Sequence, residues 1–353
     1  MSSMPAGISL HITETPRLRM RWASAGSVEG TPVVLVHGNL ATCRFYDDQL
    51  TACPDGFRFI APDMRGFGGS EKVAIDATRG LRDWADDTMG LLDTIGIDQP
   101  AHFVGWSTGG GAIMQILIDH PDRVASLTLI DPVSPYGFGG THRDGTPCTP
   151  DHAGTGGGAG NPEFVAQMTA GNTGTDSPFA IRNVMRTSYW SPAYSMPASQ
   201  EDMLVEEVLS SLMGEEGYPG DATASEHWPG FAPGTTGILN ALSPKYLNTS
   251  GIVDVDPKPP IMWHHGTADV VINDGSAWDP ALLGQQGIIP GWPGEEAYPV
   301  QQMVSQTRDV LDAYAANGGS YEEVVHPDAG HGPHIDHTAD FNARFLSFIG
   351  AAS

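Results

Sequence analysis

Hydrophobic residues along the chain fall into short continuous runs that alternate with stretches of helical period. Residues 19–25, 32–37, 57–61, 102–105 and 126–130 are brief apolar segments bounded mostly by Gly, Pro, Ser or Asp. Val33, Val34, Leu35 and Val36 form an unbroken aliphatic run, the pattern of a strand covered on both faces of a sheet. Further on, Leu81, Trp84, Ala85, Thr88, Leu91, Leu92 and Ile95 recur at the spacing of one helix face, and Gly96 stops the pattern. Residues 110–119 read as the next helix. This alternation predicts an α/β fold with a mainly parallel sheet and helices on both faces.

The pattern breaks after residue 132. Residues 133–257 hold few buried-strand signals, and 136–160 are rich in Gly and poor in apolar side chains. Helical stretches are predicted over 162–170, 178–189 and 199–213. The sheet resumes at 260–265. A second insertion, 274–299, is rich in Gly, Pro and Trp. A helix over 300–317, a strand over 320–325 and a closing helix over 339–349 complete the pattern. The expected organisation is a core of residues 1–132 and 258–353, with residues 133–257 inserted as a helical lid.

Charge and cysteine content narrow the function. Seventeen Lys and Arg stand against 42 Asp and Glu, a net charge of −25. A surface this acidic repels phosphate backbones and anionic lipid, which argues against nucleic-acid and membrane partners. Cys43, Cys53 and Cys148 match no zinc or redox spacing and read as free thiols. With no basic segment leading into an apolar run near residue 1, a cytoplasmic location is expected. No cofactor and no metal are expected. His331 and His334 have a spacing compatible with ligation, but one reacting imidazole among unrelated ones is the simpler reading.

Gly105-Trp106-Ser107-Thr108-Gly109 fits G-x-S-x-G between a predicted strand and a predicted helix. A turn that tight leaves no room for side chains beside the serine. It would lift the Ser107 hydroxyl above the sheet at a helix N-terminus, where negative charge is favoured. This motif and its place resemble the α/β-hydrolase superfamily, over roughly residues 18–132 and 258–350. Asp63-Met-Arg-Gly-Phe-Gly-Gly-Ser70 is similar to a scaffold loop of that superfamily, with Asp63 and Arg65 expected to pair with each other or with nearby backbone. Gly291-Trp-Pro-Gly-Glu-Glu, Met303-Val-Ser-Gln-Thr and Ala315-Ala-Asn-Gly-Gly are similar to bacterial members described only as α/β-hydrolases.

The resemblance implies an eight-stranded sheet, a catalytic triad and an oxyanion hole. Ser107 would be the nucleophile. His331, between glycines after the last strand on what reads as a bare, mobile loop, would be the base, with His334 and His337 as rivals. Asp269, in Gly266-Thr-Ala-Asp after the resumed strand, would be the acid, with Asp131 as competitor. The backbone N–H groups of Asn39 and Thr108 would form the oxyanion hole, and the Asn39 side chain would add a donor or bind its own loop. His37 reads as structural. Candidate pocket residues are Leu40, Trp106, Tyr189 and Trp190.

No cluster of Arg or Lys is evident to hold an anionic group, so the expected substrate is a mostly apolar small molecule. The reaction expected is hydrolysis of a carboxylic ester or lactone through an acyl-enzyme. One alternative is carbon–carbon bond hydrolysis of a ring-fission diketone, for which Arg182 and Arg186 are the candidate carboxylate partners; a perhydrolase is a weaker variant. A binding protein that keeps the fold without catalysis is the alternative from another class. A homo-oligomer is compatible with the Trp and Pro residues of the second insertion.

Overall fold

The computed structural model describes residues 4–352. Eight strands form one sheet: β1 (Ser9–Glu14), β2 (Arg19–Gly26), β3 (Thr31–Val36), β4 (Phe57–Pro62), β5 (Ala101–Trp106), β6 (Val124–Ile130), β7 (Ile261–Gly266) and β8 (Tyr321–His326). Their spatial order is β1-β2-β4-β3-β5-β6-β7-β8. β2 pairs antiparallel with β1 and β4, and every later pairing is parallel. The chain is an α/β-hydrolase fold. Val33 to Val36 are fully buried at its centre, as the aliphatic run requires.

The main helices are α1 (Arg82–Thr94), α2 (Thr108–Asp119), α3 (Pro162–Thr169), α4 (Ile181–Ser188), α5 (Ala198–Leu209), α6 (Met303–Ala316) and α7 (Thr338–Ala351). Helix α1 packs on α2, and α2 on β5. Helix α7 closes the sheet through Phe345, whose ring lies 5.9 Å from that of Phe59. None of the described helices is long and apolar enough to cross a membrane. Strand β1 is the element the hydrophobic pattern did not reveal. None of its residues is buried, and its two apolar side chains, Leu10 and Ile12, are exposed, so the strand contributes no run to the core.

Segment 133–257 is less helical than its sequence suggested. Besides α3 to α5 it contains four short strands, Met213–Gly214, Tyr218–Pro219, Ala222–Ala224 and Phe231–Pro233. Strands of two or three residues carry too little periodicity to be recognised. The segment lies over loops at the C-terminal ends of β3 and β4. Leu212 N–H donates to Gly66 O at 2.7 Å, Ile75 N–H to Glu216 O at 3.0 Å, and Tyr189 Oη–H to Leu40 O at 3.0 Å.

Of the two expected arrangements for Asp63 and Arg65, pairing with each other does not occur, but both meet nearby backbone: Gly69 N–H donates to Asp63 Oδ2 at 2.7 Å and Arg65 donates to Ala74 O at 3.2 Å. Asp63 pairs with Arg21 and accepts from Cys43 N–H at 2.8 Å, while Arg65 pairs with Asp83 at 2.9 Å and Asp87 at 2.6 Å. A buried carboxylate takes the cation the tertiary fold presents, and the neighbour in sequence faces elsewhere. The second insertion is fixed by polar bonds. Asp279 accepts from Ala281 N–H at 2.9 Å and Gln301 N–H at 2.7 Å, and Gln301 donates to Gly137 O at 3.1 Å.

Candidate active site

Strand β5 runs into helix α2 through a single residue, Ser107, at φ 55° and ψ −117°. A non-glycine residue at positive φ is strained and persists only where its surroundings impose it. Here the two motif glycines impose it by close approach. A Cβ on Gly105 would sit 2.4 Å from Gly109 O, and one on Gly109 would sit 2.1 Å from Val36 O. The turn is locked to β6, since Ser107 N–H donates to Ile130 O at 2.9 Å and Val133 N–H to Ser107 O at 3.0 Å. The result is a partly exposed serine at the N-terminus of a twelve-residue helix.

The loop after β3 faces this turn. Gly38 lies against Ser107, since a Cβ there would be 3.1 Å from the serine's own. His37 holds the loop: Met64 N–H donates to Nε2 at 3.0 Å, so the ring proton sits on Nδ1 and donates to Gly38 O at 2.7 Å. Burial keeps this imidazole neutral, with its pKa lowered to about 4. Next in the chain, Asn39 and Leu40 continue the loop, Leu40 at φ 49°. Among the described residues no acceptor takes the N–H of Asn39 or of Thr108. Asn39 Oδ1 is buried without a partner, so this oxygen does not bind the loop.

Asp269 lies three residues beyond β7. Its Oδ1 accepts from Val271 N–H at 2.6 Å and Ile272 N–H at 3.1 Å, and its Oδ2 accepts from His331 Nδ1–H at 2.8 Å. That bond fixes the tautomer and leaves the His331 Nε2 lone pair free. The two loops are joined to each other, since Ala268 N–H donates to Ala329 O at 2.8 Å. His331 is also held from the β5 side: Trp106 Nε1–H donates to His331 O at 2.7 Å. Ser107 Oγ makes no hydrogen bond to the described residues, so the hydrogen bonds join Asp269 to His331 and stop short of the hydroxyl. Such bonds commonly tighten only when substrate is present.

The glycines flanking His331 serve packing. A Cβ on Gly330 would lie 2.4 Å from the carbonyl carbon of Trp190, and Gly330 N–H donates to Asp336 Oδ2 at 2.7 Å. Ser191 N–H donates to the same oxygen at 2.7 Å. The loop is therefore clamped, where its sequence suggested mobility. This clamp by Asp336 was not foreseen, because an acidic residue in a polar loop reads as solvated.

The rival histidines stand elsewhere. His334 is fully buried with neither ring nitrogen bonded, 4.9 Å from the Trp106 ring centroid and 5.1 Å from that of Tyr46. Its burial, and then the nearby His331, lower its pKa to about 3. His337 is bound to Asp336 at 3.0 Å. Asp131 ends β6 next to the pair: ligand atoms of Asp131, Asp269 and His331 all lie within 4.8 Å of one another. Leu40, Trp106, Tyr189 and Trp190 are all buried. Arg182 pairs with Glu201 and Asp202, both at 2.7 Å, and Arg186 pairs with Glu201 at 2.6 Å.

Residues 31–147 match the family model described as alpha/beta hydrolase fold. Over 104 residues the chain is 38% identical to 2-hydroxymuconate semialdehyde hydrolase of Pseudomonas sp. (strain CF600), covering 29% of this chain and 36% of that protein. Over 120 residues it is 30% identical to epoxide hydrolase A of Mycobacterium tuberculosis (strain ATCC 25618 / H37Rv), covering 34% of this chain and 37% of that one. The chain thus spans just over a third of the length of these relatives. Among solved structures it is similar to the esterase RhEst1 of Rhodococcus sp. ECU1013, with a TM-score of 0.61 and 17% identity over 98% of this chain and 100% of the other. The sheet order, the strand–Ser107–helix turn and these likenesses converge on one conclusion: the chain has the α/β-hydrolase fold, and residues 31–147 match that family's model.

Proposed function

We propose that the protein is a serine hydrolase that cleaves a carboxylic ester or lactone in a mostly apolar small molecule. The observation that carries this reading is the 2.8 Å bond from His331 to Asp269, which leaves Nε2 unprotonated beside the strained Ser107 turn. Ser107 Oγ attacks the carbonyl carbon while His331 Nε2 takes the hydroxyl proton. The resulting oxyanion lies between the N–H groups of Asn39 and Thr108, and each such donor contributes about 3 kcal/mol to lowering the barrier. Collapse expels the alcohol, which takes the proton from His331. Water then attacks the acyl-serine by the same route, releasing the acid and restoring Ser107. Asp269 orients His331 and stabilises its protonated form without taking the proton. Segment 133–257 acts as the lid, with Tyr189, Trp190, Leu40 and Trp106 walling an apolar pocket.

A second reading is supported by the likeness to 2-hydroxymuconate semialdehyde hydrolase. The same three residues could cleave a carbon–carbon bond in a ring-fission diketone. Arg182 and Arg186, the cations considered for such a substrate's carboxylate, are already neutralised by Glu201 and Asp202. That pairing favours the uncharged ester or lactone.

The test is turnover of a panel of neutral esters, lactones and ring-fission products, with Ser107→Ala as control, beside labelling by a serine-directed fluorophosphonate. Ester or lactone turnover and labelling, both lost in Ser107→Ala, is the expected result. Preference for ring-fission products would select the second reading. Folded protein that is neither labelled nor active would point to a binding role.

A further inference from the structure

Asp131 is almost wholly buried at the end of β6, at φ 36°. It stands against Asp269 and His331, with Asp336 the next charged group nearby. Two carboxylates that close, away from water, do not both ionise. The surrounding donors decide which one keeps the charge. Asp269 receives three: the N–H groups of Val271 and Ile272, and Nδ1–H of His331. Asp131 receives one, Gly266 N–H at 3.2 Å on Oδ1, and its Oδ2 is buried with no partner. An ionised oxygen without a donor in that position would cost several kcal/mol. The same oxygen carrying a proton becomes a donor facing an acceptor.

We propose that Asp131 is a protonated positioning residue, whose Oδ2–H donates to the Asp269 carboxylate and holds it in register with His331. Burial, and then the Asp269 charge, drive the Asp131 carboxyl well above the ordinary carboxylate range, in the same direction. The proton stays on Asp131 throughout. No step of the reaction passes through it, and Asp269 remains the ionised partner of His331. This role rests on the serine-hydrolase reading, but the protonation state does not.

The experiment therefore has a spectroscopic arm and a kinetic arm. Infrared difference spectra at neutral pH should show a protonated-carboxyl C=O band in the wild type that is missing in Asp131→Asn and retained in Ser107→Ala. No band difference between wild type and Asp131→Asn would overturn the proposal, whether or not the protein hydrolyses anything. In kinetics on an ester that the wild type turns over, Asp131→Asn keeps a donor toward Asp269 and should retain kcat within about 3-fold. Asp131→Ala, with folding checked by circular dichroism, should lower kcat about 10-fold or more, the scale of lost outer hydrogen bonds, and displace the acidic limb of its pH profile. If Asp131→Asn were instead as damaging as Asp269→Asn, Asp131 would be an ionised acid acting on His331, and the proposal would fail. A wild type with the band but no turnover would leave the protonation standing and reject the hydrolase reading alone.

Discussion

The hydroxyl of Tyr189 donates to the carbonyl of Leu40 at 3.0 Å, joining the end of helix α4 to the loop that follows β3. Leu40 is at positive φ, and the adjacent Asn39 offers one of the two N–H groups assigned to the oxyanion. The bond is buried, and its loss leaves a carbonyl without a donor, at a cost of about 1–3 kcal/mol. Tyr189→Phe is therefore expected to lower stability modestly, and to reduce kcat more than it raises KM, because the misplaced loop matters most in the transition state. Urea melts and steady-state kinetics on the same preparation check this. A kcat unchanged from wild type would mean that the oxyanion loop holds itself.

The proposed acid and the proposed nucleophile should separate by magnitude. Ser107→Ala is expected to lower kcat by roughly 10⁶-fold, the scale known for serine triads, without loss of fold. Asp269→Asn keeps the shape but no longer stabilises the protonated imidazole, and should cost about 10⁴-fold. Residual rates measured under single-turnover conditions would show the order. An Asp269→Asn variant within about 10-fold of wild type would remove Asp269 from the relay.

What the sequence displayed, and what it hid, follow from how local each feature is. Ser107 was legible because the strained turn needs glycines on both sides within five residues. Asp269 and His331 were legible as positions because each follows a strand with a recognisable apolar run. The partners of Asp336 and Arg65 were not, because no local spacing marks them: Ser191 comes from another segment, and Asp83 and Asp87 from helix α1. Gly330 and Ser191 meet Asp336, and Asp83 and Asp87 meet Arg65, only once the chain has folded. Strand β1 was missed because its alternation of Leu10 and Ile12 with polar residues is only two apolar positions long and neither is buried.

Asp336 is expected to couple segment 133–257 to the loop of His331. One carboxylate oxygen accepts both Gly330 N–H and Ser191 N–H, at 2.7 Å each. Asp336→Ala strands both donors, and should lower stability by about 2–4 kcal/mol and kcat by about 10-fold. Asp336→Asn retains an acceptor oxygen and should recover most of both. Chemical denaturation alongside kinetics would decide. Equal damage from the two substitutions would show that the charge matters and the clamp does not.

His334 gives the sharpest test of the base assignment, because its ring is close to His331 but chemically idle. Buried beneath Trp106 and Tyr46 with both nitrogens unbonded, it has a folded-state pKa of about 3. The ordinary value is about 6.5, so the unfolded chain binds a proton that the folded chain refuses. Stability from this group is complete above about pH 6.5 and is lost as pH falls toward 3. His37, with a pKa of about 4, adds a second such proton, worth of order 3 kcal/mol once fully taken up. His334→Phe removes one of these protons and an unsatisfied polar ring, and inserts an aromatic ring larger by roughly one methylene that the neighbouring side chains must accommodate. Melts between pH 4 and 7 should therefore show a shallower acid loss in the variant. Activity should persist, since no proton in the reaction visits this ring. If His334→Phe instead abolished turnover in folded protein while His331→Ala did not, residue 331 would lose its role as base, and the relay would have to be redrawn through the core.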